Sequence, residues 1–158
     1  MLIGVISDTH IPYRATNIPK KVFEEFKDVD LILHAGDIEE LTVLDELKKI
    51  APVKAVNGNC DYHPELNDFE VIKIENIKIG LTHGTVYPKG DTQQLYYLAK
   101  ELGVDVLISG HTHRYLIKQV NDVLLLNPGS PTQPRSTEAS IMLIKIENSN
   151  LEAKIIKI

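Results

Sequence analysis

"VDLILHAGD", residues 29–37, carries the decision about the fold. Leu31, Ile32 and Leu33 follow one another with no polar alternation, as expected of a strand buried on both faces. The run then stops at Gly36 and Asp37. The same pattern recurs along the chain. "LIGVIS" runs into Asp8 and His10, and "VKAV" into Asn57, Gly58 and Asn59; "IKIGL" runs into His83, and "VDVLIS" into Gly110, His111 and His113. Five short buried strands, each ending in metal-friendly polar residues, are the expectation.

Between some of these runs the apolar period becomes helical. Val22, Phe23 and Phe26 share a face in "IPKKVFEEF", with Pro19 suited to the first turn. Leu41, Leu44 and Leu47 do so in "EELTVLDELKKI". Leu95, Leu98 and Leu102 repeat in "DTQQLYYLAKELG", where Asp91 suits the N-cap and Gly103 the stop. These stripes read as core-facing helix surfaces. Later, "EVIKIENIKIGL", "LIKQVNDVLLL" and "IMLIKIENSNLEAKIIKI" set Asn or Asp turn residues between β-rich runs, the pattern of hairpins. An alternating β/α first half thus gives way to a hairpin-rich second half, an α/β chain read as one domain over residues 1–158. "NPGSPTQPRS" (127–136) reads as one long loop.

With 43% hydrophobic and 25% charged residues, the composition is that of an ordinary globular protein. A net charge of −5 argues against a surface that coats long nucleic acid. The single cysteine excludes an internal disulfide. "MLIGVISDTH" turns polar too soon for a signal peptide or a span, so a cytoplasmic protein with no membrane partner is expected.

Ligands of open α/β sheets bind beyond the carboxyl ends of strands. Asp8 and His10 are one residue apart, as are His111 and His113, and in extended chain such pairs point to one side. Gly36, Gly58, Gly84 and Gly110 permit tight turns and close backbone approach. Carboxylates, imidazoles and one amide oxygen suit divalent manganese, iron, nickel, cobalt or zinc.

"DTH" at 8–10, "GDIEE" from 36, "GNCD" at 58–61, "THG" at 82–84 and "GHTH" at 110–113 closely resemble the ordered motifs of the calcineurin-like metallophosphoesterases. The length, the "NPGS" at 127–130 and the Cys in the third motif resemble the small phosphodiesterase branch. The resemblance implies a four-layer α/β/β/α sandwich with two central mixed sheets and two metals at one edge. It assigns one divalent transition-metal ion to Asp8, His10, Asp37 and His113. The second takes Asp37, Asn59, His83 and His111, with Asp37 bridging. Asp37, Asn59 and His83 are then also the catalytic set, for attack of a metal-bound hydroxide on a phosphodiester.

Charge arithmetic favours a diester within that scheme. Two divalent ions less the Asp8 and Asp37 carboxylates leave two positive charges, matched by a hydroxide and a diester monoanion. A monoester dianion overshoots by one. A phosphomonoesterase or nucleotidase is the enzymatic alternative, and a non-catalytic scaffold of the retromer-subunit type the other. The partner expected is a small phosphodiester, with nucleotides among the candidates; oligomeric state is left open.

Arg14, Lys89, Arg114 and Arg135 lie in loops beside the motifs and are candidates to hold a substrate phosphate, with solvated surface charge the alternative. His63 and Tyr13 are weaker candidates for leaving-group contact. His34 reads as packed beneath the site, and Asp61 as a residue that orients a ligand. Cys60 stands where many relatives carry a His resembling a general acid. It reads as an occupant of that seat with the acid function weakened, neither nucleophile nor ligand.

Overall fold

A computed structural model describes all 158 residues. In chain order the elements are β1 (Leu2–Ile6), α1 (Lys20–Phe26), β2 (Leu31–His34), α2 (Thr42–Lys48), β3 (Val53–Ala55), β4 (Phe69–Ile74), β5 (Ile77–Thr82), α3 (Thr92–Leu102), β6 (Val106–Ile108), β7 (Tyr115–Val120), β8 (Val123–Pro128), β9 (Ser140–Glu147) and β10 (Asn150–Lys157). They form two five-stranded sheets, in the orders β10-β9-β1-β2-β3 and β4-β5-β6-β8-β7. β1 pairs in parallel with β2 and antiparallel with β9, and β6 lies parallel to both β5 and β8. Both sheets are therefore mixed, as expected.

The layers follow from which side chains each strand sends to each face. Ile3, Val5, Leu31 and Leu33 meet Ile79, Leu81, Val106 and Ile108 in a cluster between the sheets. Ile6 and Ile32, on the opposite face of the first sheet, pack with Val22, Phe26, Leu44 and Leu47 of α1 and α2. On the outer face of the second sheet, Leu107 and Leu125 pack with Leu95 and Ala99 of α3. Three interlayer clusters separate four layers, giving the α/β/β/α sandwich. The apolar runs lack alternation because both faces of the central strands are covered.

All three helices and all three hairpins stand where the sequence places them. Asp91 accepts a hydrogen bond from the Gln94 amide at the α3 start, and Gly103 ends the helix at φ 66°. Pro19 occupies the N-cap of α1, one position before its expected place in the first turn. "NPGS" is only partly loop, since Asn127 and Pro128 complete β8. No helix is long and apolar enough to cross a membrane.

Candidate metal centre

The parallel strands β1, β2 and β3 of one sheet, and β5 and β6 of the other, all end at the same edge. Asp8 and His10 follow β1, Asp37 follows β2 and Asn59 follows β3; His83 follows β5, and His111 and His113 follow β6. The structure brings all seven together. The ligating atoms of Asp8, His10, Asp37 and His113 lie within 4.8 Å of one another, as do those of Asp37, His83 and His111. Asp37 belongs to both groups. Asn59 joins the second through Oδ1, 3.0 Å from His83 Nε2.

The backbone that aims these groups is not extended. Asp8, His10, Asp37, His111 and His113 all have left-handed φ, between 48° and 67°. Residue pairs one apart thus converge because tight turns fold them inward. Such conformations persist only where surroundings hold them. Here Asp8 N donates to Gly36 O at 3.0 Å and His10 N to Asp37 O at 3.1 Å. A side chain at Gly58 would collide with the Asp37 backbone and carboxylate, so that position requires glycine.

A family model for the calcineurin-like phosphoesterase superfamily domain matches residues 1–149. The chain belongs to the calcineurin-like phosphoesterase superfamily. A probable metallophosphoesterase of Methanothermobacter thermautotrophicus is 56% identical over 99% of this chain and 92% of that one. Among solved structures, wild-type Vps29 complexed with zinc from Entamoeba histolytica superposes with a TM-score of 0.84 at 33% identity over 99% of each chain. A structure described as a novel archaeal phosphodiesterase gives 0.77 at 29% identity, covering 99% of this chain and all of that one.

Calcineurin-like phosphoesterases are metal-dependent, and the polar atoms gathered here fit that requirement. The histidine tautomers decide it. His10 Nδ1 lies 2.7 Å from Glu39 Oε1, His113 Nδ1 2.5 Å from Gln133 O, and His83 Nδ1 2.8 Å from Ala35 O. Each Nδ1 faces an acceptor and so carries the hydrogen, leaving Nε2 as a lone pair turned inward. The Nε2 atoms of His10 and His113 face each other at 3.3 Å. Asp8 Oδ1 is fully buried with no hydrogen-bond partner, 3.3 Å from His113 Nε2. Asp37 Oδ2 is 3.4 Å from His10 Nε2 and 3.2 Å from His83 Nε2. Converging acceptors without donors call for cations.

The protonation equilibria carry the same signature. Burial pushes the Asp8 carboxyl up to about 6 despite the His83 charge nearby. Burial also acts to raise Asp37, but the hydrogen bond and charge of His83 outweigh it and hold Asp37 well below the usual carboxylate range. His83 itself is raised above its ordinary value: burial opposes this, and Asp37 and Asp8 prevail. The two carboxylates thus favour positive charge at this point, the sign a cation would supply. Burial drives His111 and His113 down to about 4, keeping both neutral and able to ligate.

Other expected residues take varied places. His34 is fully buried; its Nδ1 accepts from Gly36 N at 3.2 Å and its Nε2 meets Thr9 Oγ1 at 3.1 Å. Asp61 accepts from the Ile38, Glu39 and Gly58 amides at 3.0, 2.8 and 2.8 Å, so it orients the loop that bears Asp37. His63 does not face the site mouth: its Nε2 lies 3.0 Å from Glu39 O, bracing that loop. Cys60 N donates to Asp37 Oδ1 at 2.9 Å, and burial and Asp37 raise its thiol pKa above the ordinary value. Its sulfur also lies within 4.8 Å of ligating atoms of His10 and Glu39. Tyr13, Arg14, Lys89, Arg114 and Arg135 are exposed in loops at this edge.

Sequence reasoning passed over several contributors. Glu39 holds His10, Ser7 Oγ donates to Asp8 Oδ2 at 2.7 Å, and Ser130 Oγ donates to Asp8 O at 2.7 Å. Glu39 lies inside "GDIEE" and Ser130 inside "NPGS", so both were in quoted motifs with no role attached. The Gln133 carbonyl that fixes His113 leaves no side-chain signal at all.

Proposed function

We propose that the protein is a dinuclear-metal-dependent phosphodiesterase. The observation that carries the reading is the pair of acceptor groups that share Asp37, with neutral Asn59 completing the second. Asp8, His10, Asp37 and His113 would hold one divalent transition-metal ion, and Asp37, Asn59, His83 and His111 the other. Nitrogen and oxygen donors suit manganese, iron, cobalt, nickel or zinc. When bound, such a pair supplies a water acidified for attack and positive charge against the phosphoryl oxygens.

The chain's own residues do the rest. Asp37 offers one carboxylate to both groups while Cys60 N fixes its Oδ1. Asn59 adds an oxygen without a charge, which leaves room for a diester monoanion. Glu39, Gln133 and Ala35 hold three imidazoles in the ligating tautomer. Arg14 and Arg135 stand where a substrate phosphate would approach. Cys60, with its raised thiol pKa, remains protonated at neutral pH and is a weak acid near the leaving group rather than a nucleophile. The archaeal phosphodiesterase of similar fold supports diester chemistry.

A second reading is a protein-interaction scaffold, favoured by the close superposition on Vps29. Retention of all seven ligand positions favours the enzyme. The deciding experiment strips the protein of metal, restores one ion at a time, and compares bis(4-nitrophenyl) phosphate with 4-nitrophenyl phosphate. Metal-dependent hydrolysis, faster for the diester, is expected. Turnover that survives in confirmed metal-free protein would end the metallohydrolase reading, and a faster monoester would end the diester reading.

A further inference from the structure

The chain has only three arginines, Arg14, Arg114 and Arg135, and all three sit at the ligand-bearing edge. Arg14 N donates to His10 O at 2.8 Å, Arg135 N donates to His113 O at 3.0 Å, and Arg114 directly follows His113. No arginine forms a salt bridge, whereas Lys48, Lys100, Lys145 and Lys157 on other surfaces each pair with a carboxylate within 3.0 Å. Lys89 is likewise unpaired, and its charge is felt by both His111 and His113. Other lysines, such as Lys21, Lys54 and Lys73, also lack a carboxylate partner; what marks this edge is that every arginine of a chain of net charge −5 gathers there with Lys89. Guanidinium forks match phosphate oxygens two at a time.

More than one phosphate is implied by where the cations lie. Lys89 and Arg114 line a cavity of about 250 Å³ that also has Thr112, Leu95 and Leu116 in its lining. That cavity lies beside the His111–His113 turn, so a group in it is not the one being cleaved. The same edge carries three tyrosines: Tyr13, Tyr62 and Tyr87 are 81%, 91% and 90% exposed, and no other large apolar side chain exceeds 56%. Each follows a ligand position by three or four residues. Aromatic faces interleaved with cations are how proteins hold nucleobases beside a phosphate backbone.

We infer that the substrate is a nucleotidyl phosphodiester carrying a further phosphate beyond the scissile one, which the cavity of Lys89 and Arg114 receives. This rests on the phosphodiesterase reading of the adjoining centre. Short oligonucleotide ends and dinucleoside polyphosphates share this chemistry; simple glycerol or aryl diesters do not.

The test is equilibrium binding to the manganese-loaded protein of the dinucleotides pTpT and TpT, each with a phosphorothioate linkage to slow cleavage, which differ only in the terminal phosphate. The terminal phosphate should tighten binding about tenfold, the worth of one charge-assisted contact. Lys89→Ala and Arg114→Ala should each remove most of that advantage without unfolding the protein, as thermal melts would verify. Equal affinity for the two dinucleotides, or no measurable binding of either, overturns the inference. An advantage that survives both substitutions overturns the assignment to this cavity. Diadenosine tetraphosphate as competitor distinguishes the sources: stronger displacement of pTpT than by unlabelled pTpT assigns the polyphosphate, and weaker displacement the oligonucleotide. Hydrolysis of bis(4-nitrophenyl) phosphate, run separately, reports on the metal centre alone, so failure there is distinguishable from failure here.

Discussion

At Cys60 a thiol stands beside Asp37 with its proton held on, and this sets expectations for leaving groups. General acid catalysis is commonly worth about 10²–10⁴-fold and matters most for basic leaving groups. Cys60→Ala should therefore leave activated aryl diesters within a few-fold of wild type, while Cys60→His should accelerate alkyl diesters selectively. Rates plotted against leaving-group pKa for the three proteins decide it; inactivation by Cys60→Ala with metal still bound would make the thiol a reactant. Asn59→Asp adds a negative charge at an exposed ligand position. It should keep metal content and raise KM for an anionic diester, read by elemental analysis beside steady-state kinetics. Gly58→Ala drives a methyl group into Asp37. Overpacking of this kind costs about 1–3 kcal/mol, and here it should also displace Asp37 and lower metal affinity in calorimetric titration.

Loops between strands show the same logic one level up. Asp61 gathers three amides from the turns after β2 and β3, so one carboxylate locks two ligand-bearing loops together. Asp61→Asn would turn an amide donor toward one of those N–H groups. A buried unsatisfied donor costs about 1–3 kcal/mol, so a lower urea midpoint is expected, together with weaker metal binding although Asp61 touches no ion. Unchanged metal affinity would show that the loops are held by other means. Strands, helices, hairpins and all seven clustered residues were legible in the sequence, because burial on two faces and polar strand ends leave local marks. Strand order was not: nothing in "SIMLIKIE" announces that β9 pairs beside β1, a contact made across the whole chain. Nor was the left-handed backbone at Asp8, His10, Asp37, His111 and His113, since non-glycine residues adopt it only under tertiary constraint. His63 was only a weak leaving-group candidate, and its actual partner, the Glu39 carbonyl, is one that sequence cannot point to.

For the molecule as a whole, the site is a liability to the metal-free fold. Asp8 ionises at about 6 when folded against the ordinary 3.8. Its desolvation penalty is therefore full above pH 6 and relieved as pH falls toward 4. Metal-free Asp8→Asn should unfold at a higher urea concentration than wild type at pH 7.5, by on the order of 1–3 kcal/mol. The gap should close on acidification through pH 6; a less stable variant at pH 7.5 would refute the penalty. His34 has the opposite sign. Fully buried and lowered from 6.5 to about 4, it supports the fold above pH 6.5 and withdraws that support as pH drops toward 4, a slope that Asp8→Asn would expose. One last consequence lies in the division of labour between the sheets. The first sheet presents Asp8, His10, Asp37 and Asn59, and the second presents His83, His111 and His113, so each acceptor group spans the seam between them. Side-chain volume between the sheets is then the gauge that sets spacing at the edge. Thinning that filling at Ile79 or Met142, deep in the inter-sheet cluster, would let one sheet slide on the other and detune both ion pockets together.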